Sequence, residues 1–335
     1  MLLIDFAGVK IFESATVDTN ILLFSKSTNQ HETVCAITNK QNKDSVKNLS
    51  DFVQQQNTVC EFSSSDAWVI LSPIEQSIKR KIEAVGTPLK DWNINIYRGV
   101  LTGYNDAFII STEKRNEILA NCQTEDERQR TAELIRPVLR GRDIKRYGYV
   151  ENGLYLINTH NGIRGKIPRI RIEDYPSIKS HLDQYWDKIE KRADQGDTTY
   201  NLRNCAYLDD FSKQQIVWIE LSDEPKFAFA ENVTSVNTVF FMTGEHILHL
   251  LGLLNSKLIT WYFRHCIGTT SGVGTNRWLK YTIEQIPMAP TSVDLEIMAK
   301  EICQHYSKDK DNKIYLLVCQ LYDLNSEEIN YISSL

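Results

Sequence analysis

The chain has 335 residues, enough at roughly 100–200 residues per domain for two or three units with buried cores. With 42% hydrophobic and 24% charged residues and a formal charge of −5, the composition is that of an ordinary globular protein, which excludes coiled coil, collagen and disordered tail. No stretch reaches about 18 apolar residues, so no membrane span is expected, and MLLIDFAGVK, with Asp5 in its apolar run and no basic leader, predicts no secretory signal. The seven cysteines are widely spread with no C-x-x-C pair, which predicts reduced thiols and a cytoplasmic protein.

In chain order, FESATVDTNILLFSK (12–26) is rich in strand formers and too short for a helix, and reads as a buried strand. The polar stretch 39–57 reads as a loop or short helix, and TVCEFSSSDAWVIL (58–71) as a strand pair. Ile74, Ile78, Ile82 and Val85 recur at helical spacing until Gly86 and Pro88, predicting a helix over 74–85 that hinges two units. NIYRGVLTGYNDAFII (95–110) reads as strand, turn and strand. Residues 174–194 predict one helix with Asp174 as N-cap, Pro176 near N1, and Ile178, Leu182, Tyr185 and Ile189 on one face. IVWIEL (216–221) and TVFFM (238–242) are strand-like, and 245–263 is a strongly apolar helix. The tail predicts helices at 293–306 and 313–323, then a last short helix capped by Asn325 with Glu328 three residues on. The fold class is α+β, with a β-rich segment 1–72, a mixed unit 73–290 and a helical tail 291–335.

These three segments carry −3, +2 and −4. Within 136–171 there are nine Lys or Arg against Asp143 and Glu151, a local excess of +7, interleaved with Tyr147, Tyr149, Tyr155 and several glycines. That pattern suits a phosphate-contacting surface. A solvated basic face balanced by acids from elsewhere in the fold fits the charge equally well.

No G-x-G-x-x-G or P-loop occurs. Gly272-Val273-Gly274 lies in GTTSGVGTNRW after a helix rather than a strand, and reads as a loop that contacts another macromolecule. His246 and His249, spaced i, i+3, lack a companion ligand and read as a helix-surface or packing pair. Glu220, Asp223, Glu224 and Lys226 lack the further acid a nuclease metal site needs, and Asp209 and Asp210 read as loop acids. No nucleophile, base and orienting group assemble, so no catalytic or metal site is predicted in this chain.

FESATVDTNILLFSK resembles the last strands of the catalytic domain in γ-class adenine-N6 DNA methyltransferases, the kind fused into type IIG restriction-modification enzymes and related phage-defence methyltransferases. PLKDWNINIYRGVLTGYNDAFII, IRPVLRGRDIKRYGY, YPSIKSHLDQYWDKIEKRADQGDTTYNLRNCAY, LLGLLNSKL and YTIEQIPMAP are similar, in that order, to their TaqI-like C-terminal specificity domain. IYLLVCQLYDLNSEEINYI is similar to their helical ending. The family's glycine-rich cofactor motif and Asn-Pro-Pro-Tyr catalytic motif lie upstream of these segments and are absent here. The resemblance therefore implies the C-terminal part of such an enzyme, without whole-enzyme activity.

What it implies is a DNA target-recognition module that closes over duplex DNA while a methyltransferase domain, in cis or as a separate subunit, flips the target adenine. S-adenosylmethionine is then a cofactor of the intact enzyme and not of this chain. Arg136, Arg140, Arg142, Lys145, Arg146, Arg164 and Lys166 are candidates for phosphate or guanine contacts, with Arg140, Arg142 and Arg146 expected to be exposed and dispensable for the fold. Tyr104 and Asn105 in the TGYND turn, and Thr270, Ser271 and Arg277 around the glycine loop, are candidates for reading or flanking contacts. Two other readings stay open: a methyltransferase or nuclease in its own right, and a specificity subunit or protein-interaction module of a multi-subunit complex.

Overall fold

A computed structural model describes residues 1–6, 11–12, 14, 19–28, 32–38, 47–62, 68–267, 270–271 and 275–335. Its backbone divides into two units, Met1–Ala84 with Asn325–Asn330, and Val85–Leu324 with Tyr331–Leu335.

The first unit holds a four-stranded sheet in the order Asn20–Leu23, Leu2–Asp5, Thr33–Ile37, Asn57–Cys60. The central pair is parallel and the outer pairs antiparallel. Helix Leu49–Gln56 contributes Phe52 to a small core with Ile4, Phe6 and Ala36. Of the strand expected to be buried across 12–26, the described residues form Asn20–Leu23, which is mostly exposed because it pairs with one neighbour at the sheet's edge; 13 and 15–18 lie outside the described residues. Leu22, Leu23, Phe24, Val34, Ile37 and Val59 are exposed. Alternate residues of a strand point to opposite faces, so this apolar surface lies on both faces of the sheet. Of the strand pair expected over 58–71, Asn57–Cys60 forms and 68–71 is not a strand; 63–67 lie outside the described residues, as do 39–46 of the polar stretch.

The second unit is built on two four-stranded sheets. One is antiparallel throughout, in the order Ala228–Glu231, Gln214–Ile219, Val239–Gly244, Ile94–Arg98. The other runs Thr234–Ser235, Ile135–Leu139, Leu154–Ile157, Ile109–Ser111, with only the first pair parallel. The hairpin expected over 95–110 is instead split between them. At Gly99 the chain passes so close to Ser235 and Val236 that a Cβ would lie 2.2 Å from a carbonyl oxygen, and this contact carries it across to the second sheet. The helix expected over 174–194 breaks at Gln184 and Tyr185 into Pro176–Asp183 and Trp186–Ile189. Its N-cap is Tyr175 without a side-chain bond, since Asp174 is used in the preceding 3₁₀ turn Ile172–Asp174. The apolar run 245–263 likewise forms two helices, Ile247–Asn255 and Lys257–Tyr262, because the extended Ser256 ends the first and starts the second: its hydroxyl donates to Leu253 O at 2.7 Å and accepts from Ile259 N at 3.2 Å. Val293–Gln304 and Lys308–Leu321 complete this unit's helical layer. The mixed α+β class holds. Among the described residues no helix is long and apolar enough to cross a membrane, and no three His, Cys, Asp or Glu group as metal ligands.

Glu328 shows the capping pair the sequence predicts. Its Oε2 accepts from Asn325 N at 2.8 Å, and Asn325 Oδ1 accepts from Glu328 N at 2.9 Å. Ser77 Oγ (2.8 Å) and Lys81 Nζ (2.7 Å) donate to the same buried carboxylate. Burial opposes its charge, but these donors outweigh burial and hold its pKa below the usual Glu value. Such a group adds stability above its unfolded pKa, about 4.3, that is lost as pH falls through the folded value. Glu328→Gln is expected to cost about 1–3 kcal/mol at pH 7, shrinking toward zero below about pH 4. A deficit in urea unfolding that is as large at pH 3 as at pH 7 contradicts this account.

Candidate nucleic-acid interface

The basic stretch 136–171 begins on strand Ile135–Leu139, on which Arg136 and Pro137 are exposed. Arg136 lines a cavity of about 170 Å³ with Asn158, His160, Asp209, Ser212 and Asn232. Burial, and then the Arg136 charge, push the His160 imidazole below its ordinary pKa, so the ring is neutral at pH 7. The chain then turns through Gly141–Asp143. Arg140 is drawn into that turn, donating to Asp143 Oδ2 from its backbone N (2.9 Å) and its Nε (3.4 Å). Burial raises the Asp143 pKa, while the bonds from Arg140 and Asn152 together outweigh it and leave the carboxyl below its usual range. Arg142 and Lys145 are exposed, and among the described residues Lys145 Nζ donates only to the Arg142 carbonyl, at 3.1 Å.

Arg146 departs from the expectation of an exposed, dispensable cation. Its guanidinium grips Asp311 with two bonds, Nε to Oδ2 at 2.9 Å and Nη2 to Oδ1 at 2.7 Å, and Tyr147 Oη donates to the same carboxylate at 2.8 Å. The two side chains are 23% and 17% exposed. This planar fork is committed inside the protein, joining the basic stretch to helix Lys308–Leu321.

Further along, Arg164 and Lys166 stand at the tip of a short hairpin. Its base is the Ile163 and Ile167 pair, bonded in both directions at 2.8 Å. Lys166 pairs with Asp209, and Arg169 with Asp197 at 3.2 Å. Arg164 has no partner among the described residues. A cavity of about 720 Å³ opens between this hairpin and residues 197–206.

Acids remote in sequence thus neutralise Arg146, Lys166 and Arg169, so part of the +7 excess is a balanced face. Arg136, Arg142, Lys145, Arg164 and Arg171 remain without an acidic partner among the described residues. The partner acids Asp311, Asp209 and Asp197 carry no local signal in the sequence and were not singled out by it, apart from Asp209 as a loop acid.

The other candidates lie elsewhere in the unit. Tyr104 precedes helix Asn105–Phe108 and packs 6.2 Å from the Tyr185 ring, and Asn105 Oδ1 accepts from Thr102 Oγ1 at 2.5 Å. Both shape the Gly103 turn. Thr270–Ser271 pairs antiparallel with Thr275–Arg277, which in turn pairs with Leu221–Ser222; Gly272, Val273 and Gly274 lie outside the described residues. Arg277 pairs with Glu220 at 2.6 Å, and Arg264 approaches Glu224 at 3.6 Å, so two of the acids weighed for a nuclease serve as ion-pair partners, while Asp223 accepts through its backbone carbonyl from Arg264 and Asn276. Asp210 accepts from Lys213 (2.7 Å) and Thr243 (2.9 Å). His249 is buried against the Ala289 carbonyl at 3.0 Å, and His246 bonds Glu296 at 2.8 Å.

Residues 136–288 match the TaqI-like C-terminal specificity domain. The matched span includes every unpaired cation of the basic stretch, the hairpin and Arg277. The fold is similar to that of the type IIL restriction-modification enzyme MmeI, solved in complex with DNA, at 11% identity and a TM-score of 0.54, covering 100% of this chain and 46% of that one. The type IIG restriction endonuclease BpuSI is similar at 12% identity and a TM-score of 0.45, covering 99% and 44%. The chain therefore spans about half the length of these enzymes.

Because Arg146 is bonded and largely buried, Arg146→Ala leaves the Asp311 carboxylate, which still accepts from Tyr147 Oη, without its cation. A loss of about 2–3 kcal/mol in unfolding free energy is expected, whereas Arg142→Ala stays within about 0.5 kcal/mol. Equal, small effects of both substitutions in denaturant titrations contradict the assignment of Arg146 as structural.

Proposed function

We propose that this chain is the DNA target-recognition part of an adenine-specific methyltransferase or type IIG restriction-modification enzyme, acting in phage defence in the cytoplasm and carrying no catalytic site itself. The observation that carries this reading is the coincidence of the specificity-domain match with the cations of the basic stretch that have no acidic partner among the described residues, Arg136, Arg142, Lys145, Arg164 and Arg171. A cation kept free of acids in a protein of net charge −5 is available to phosphate, and neutralised phosphates release counterions.

The exposed apolar residues of the first unit, Leu22, Leu23, Phe24, Val34, Ile37 and Val59, support a protein partner there. The methyltransferase catalytic domain, in cis or as a separate subunit, is that partner. The same surface favours the second reading, a specificity subunit within a multi-subunit complex. S-adenosylmethionine belongs to the catalytic domain: residues 1–84 contain one glycine, Gly8, so the two-glycine turn that lets a backbone approach a nucleotide-like cofactor is missing from this segment. Calorimetric titration of the chain with S-adenosylmethionine is expected to show no binding, and a micromolar dissociation constant overturns this part of the reading.

Replacing Arg136, Arg142 and Lys145 together with Ala tests the interface and leaves the Arg146 ion pair intact. Each lost phosphate contact reduces the log–log salt slope of duplex binding by about 0.9, and three reduce it by about 2.7. Unchanged affinity and slope in a folded variant show that DNA does not lie along this stretch.

A further inference from the structure

We propose that the hairpin closed by Ile163 and Ile167 is the element that enters a DNA groove, and that Arg164 at its tip reads a guanine. This rests on the DNA-recognition reading above and assigns the base-reading role to one residue of it.

The hairpin is built to be stiff. Lys166 N donates to Ile163 O at 2.9 Å across a turn whose third residue, Gly165, has φ +75°, the positive value a type II turn requires there. At its root, Gly162 has φ +73°, and a Cβ would lie 2.4 Å from Ile167 O. Asn161 locks the root to the facing loop: its Oδ1 accepts from Asp197 N at 2.8 Å, and its Nδ2 donates to Asp197 Oδ1 at 2.9 Å and to Asn204. Arg169 adds the ion pair to Asp197. Holding the root this firmly lowers the entropy cost of placing the tip against a ligand.

The tip is made for contact outward. A Cβ on Gly165 would meet nothing within 4 Å, so the apex faces open space. Lys166 is held back by Asp209, which leaves Arg164 as the tip cation without an intramolecular partner among the described residues. A two-stranded ribbon is narrow enough for the major groove, and the planar guanidinium presents two parallel N–H donors that match guanine O6 and N7. A phosphate contact needs only positive charge, whereas a stiff protruding fork at an apex suits directional reading.

The test is selection from a randomised duplex pool by the full chain, Arg164→Ala, Arg164→Lys and Lys166→Ala, with circular dichroism as the folding control. The wild-type chain is expected to enrich a site containing a G·C pair at which Arg164→Ala loses roughly 5- to 150-fold discrimination, the range of one bidentate pair. Arg164→Lys loses most of the same preference despite keeping the charge, and Lys166→Ala leaves it in place. An Arg164→Ala chain that binds less tightly to all sequences alike, with its preference intact, overturns the proposal while leaving DNA recognition standing. A wild-type chain that enriches no sequence overturns both.

Discussion

The second unit depends on one buried guanidinium. Arg192 is 6% exposed, and its bonds go to carbonyls rather than to a carboxylate: Nη1 to Thr102 O (2.5 Å) and Asp194 O (2.7 Å), Nη2 to Thr199 O (3.0 Å) and to Asn201 O. It lies 4.5 Å from the centroid of the Phe108 ring. Burial lowers its pKa to about 10, which still leaves it cationic at pH 7. Burying a charge is costly, and charge-assisted bonds to oriented carbonyls offset that cost only while all the loops stay in place. The Thr102 turn and the loop from 194 to 201 are therefore fixed together. Asn201 passes the constraint on, donating to Ile170 O at 3.0 Å, while Leu202 N donates to Thr159 O at 2.8 Å. Both flanks of the 161–169 hairpin are thus held by the loop that Arg192 organises.

Charge in this protein is divided by the fold rather than by the sequence. Along 136–171 the cations look alike. Three of them, Arg146, Lys166 and Arg169, are pinned by acids at positions 311, 209 and 197, and Arg140 is folded back on Asp143. Bidentate pairing of Arg146 contributes to stability because Asp311 is also shielded, whereas the more exposed Arg169 pair adds little. What remains unpaired is a smaller and more directional set, and it falls within the specificity-domain match.

Much of this was legible in the sequence where local rules dominate. The Ile74, Ile78 and Ile82 spacing marks helix Pro73–Val85, the Asn325 and Glu328 pair marks the last cap, and the IVWIEL and TVFFM runs mark two central strands. Illegible were features set by distant chain. The split of 95–110 between two sheets follows from the close passage at Gly99, and the edge position of Asn20–Leu23 from which strands pair with it. Of the candidate interface, the basic stretch was visible, but the structural role of Arg146 was hidden in Asp311, 165 residues away. Arg192 gave no signal, since a lysine- and arginine-rich helix end reads as solvated until the carbonyls around it are known.

DNA recognition through the stretch 136–171 is tested most directly by amide hydrogen exchange of the full chain with and without duplex at low salt. Slowed exchange is predicted at the exposed amides of 140–145 and of the 161–169 hairpin, with the sheet of residues 1–60 unchanged. Binding of duplex that slows exchange only outside 136–171 contradicts it.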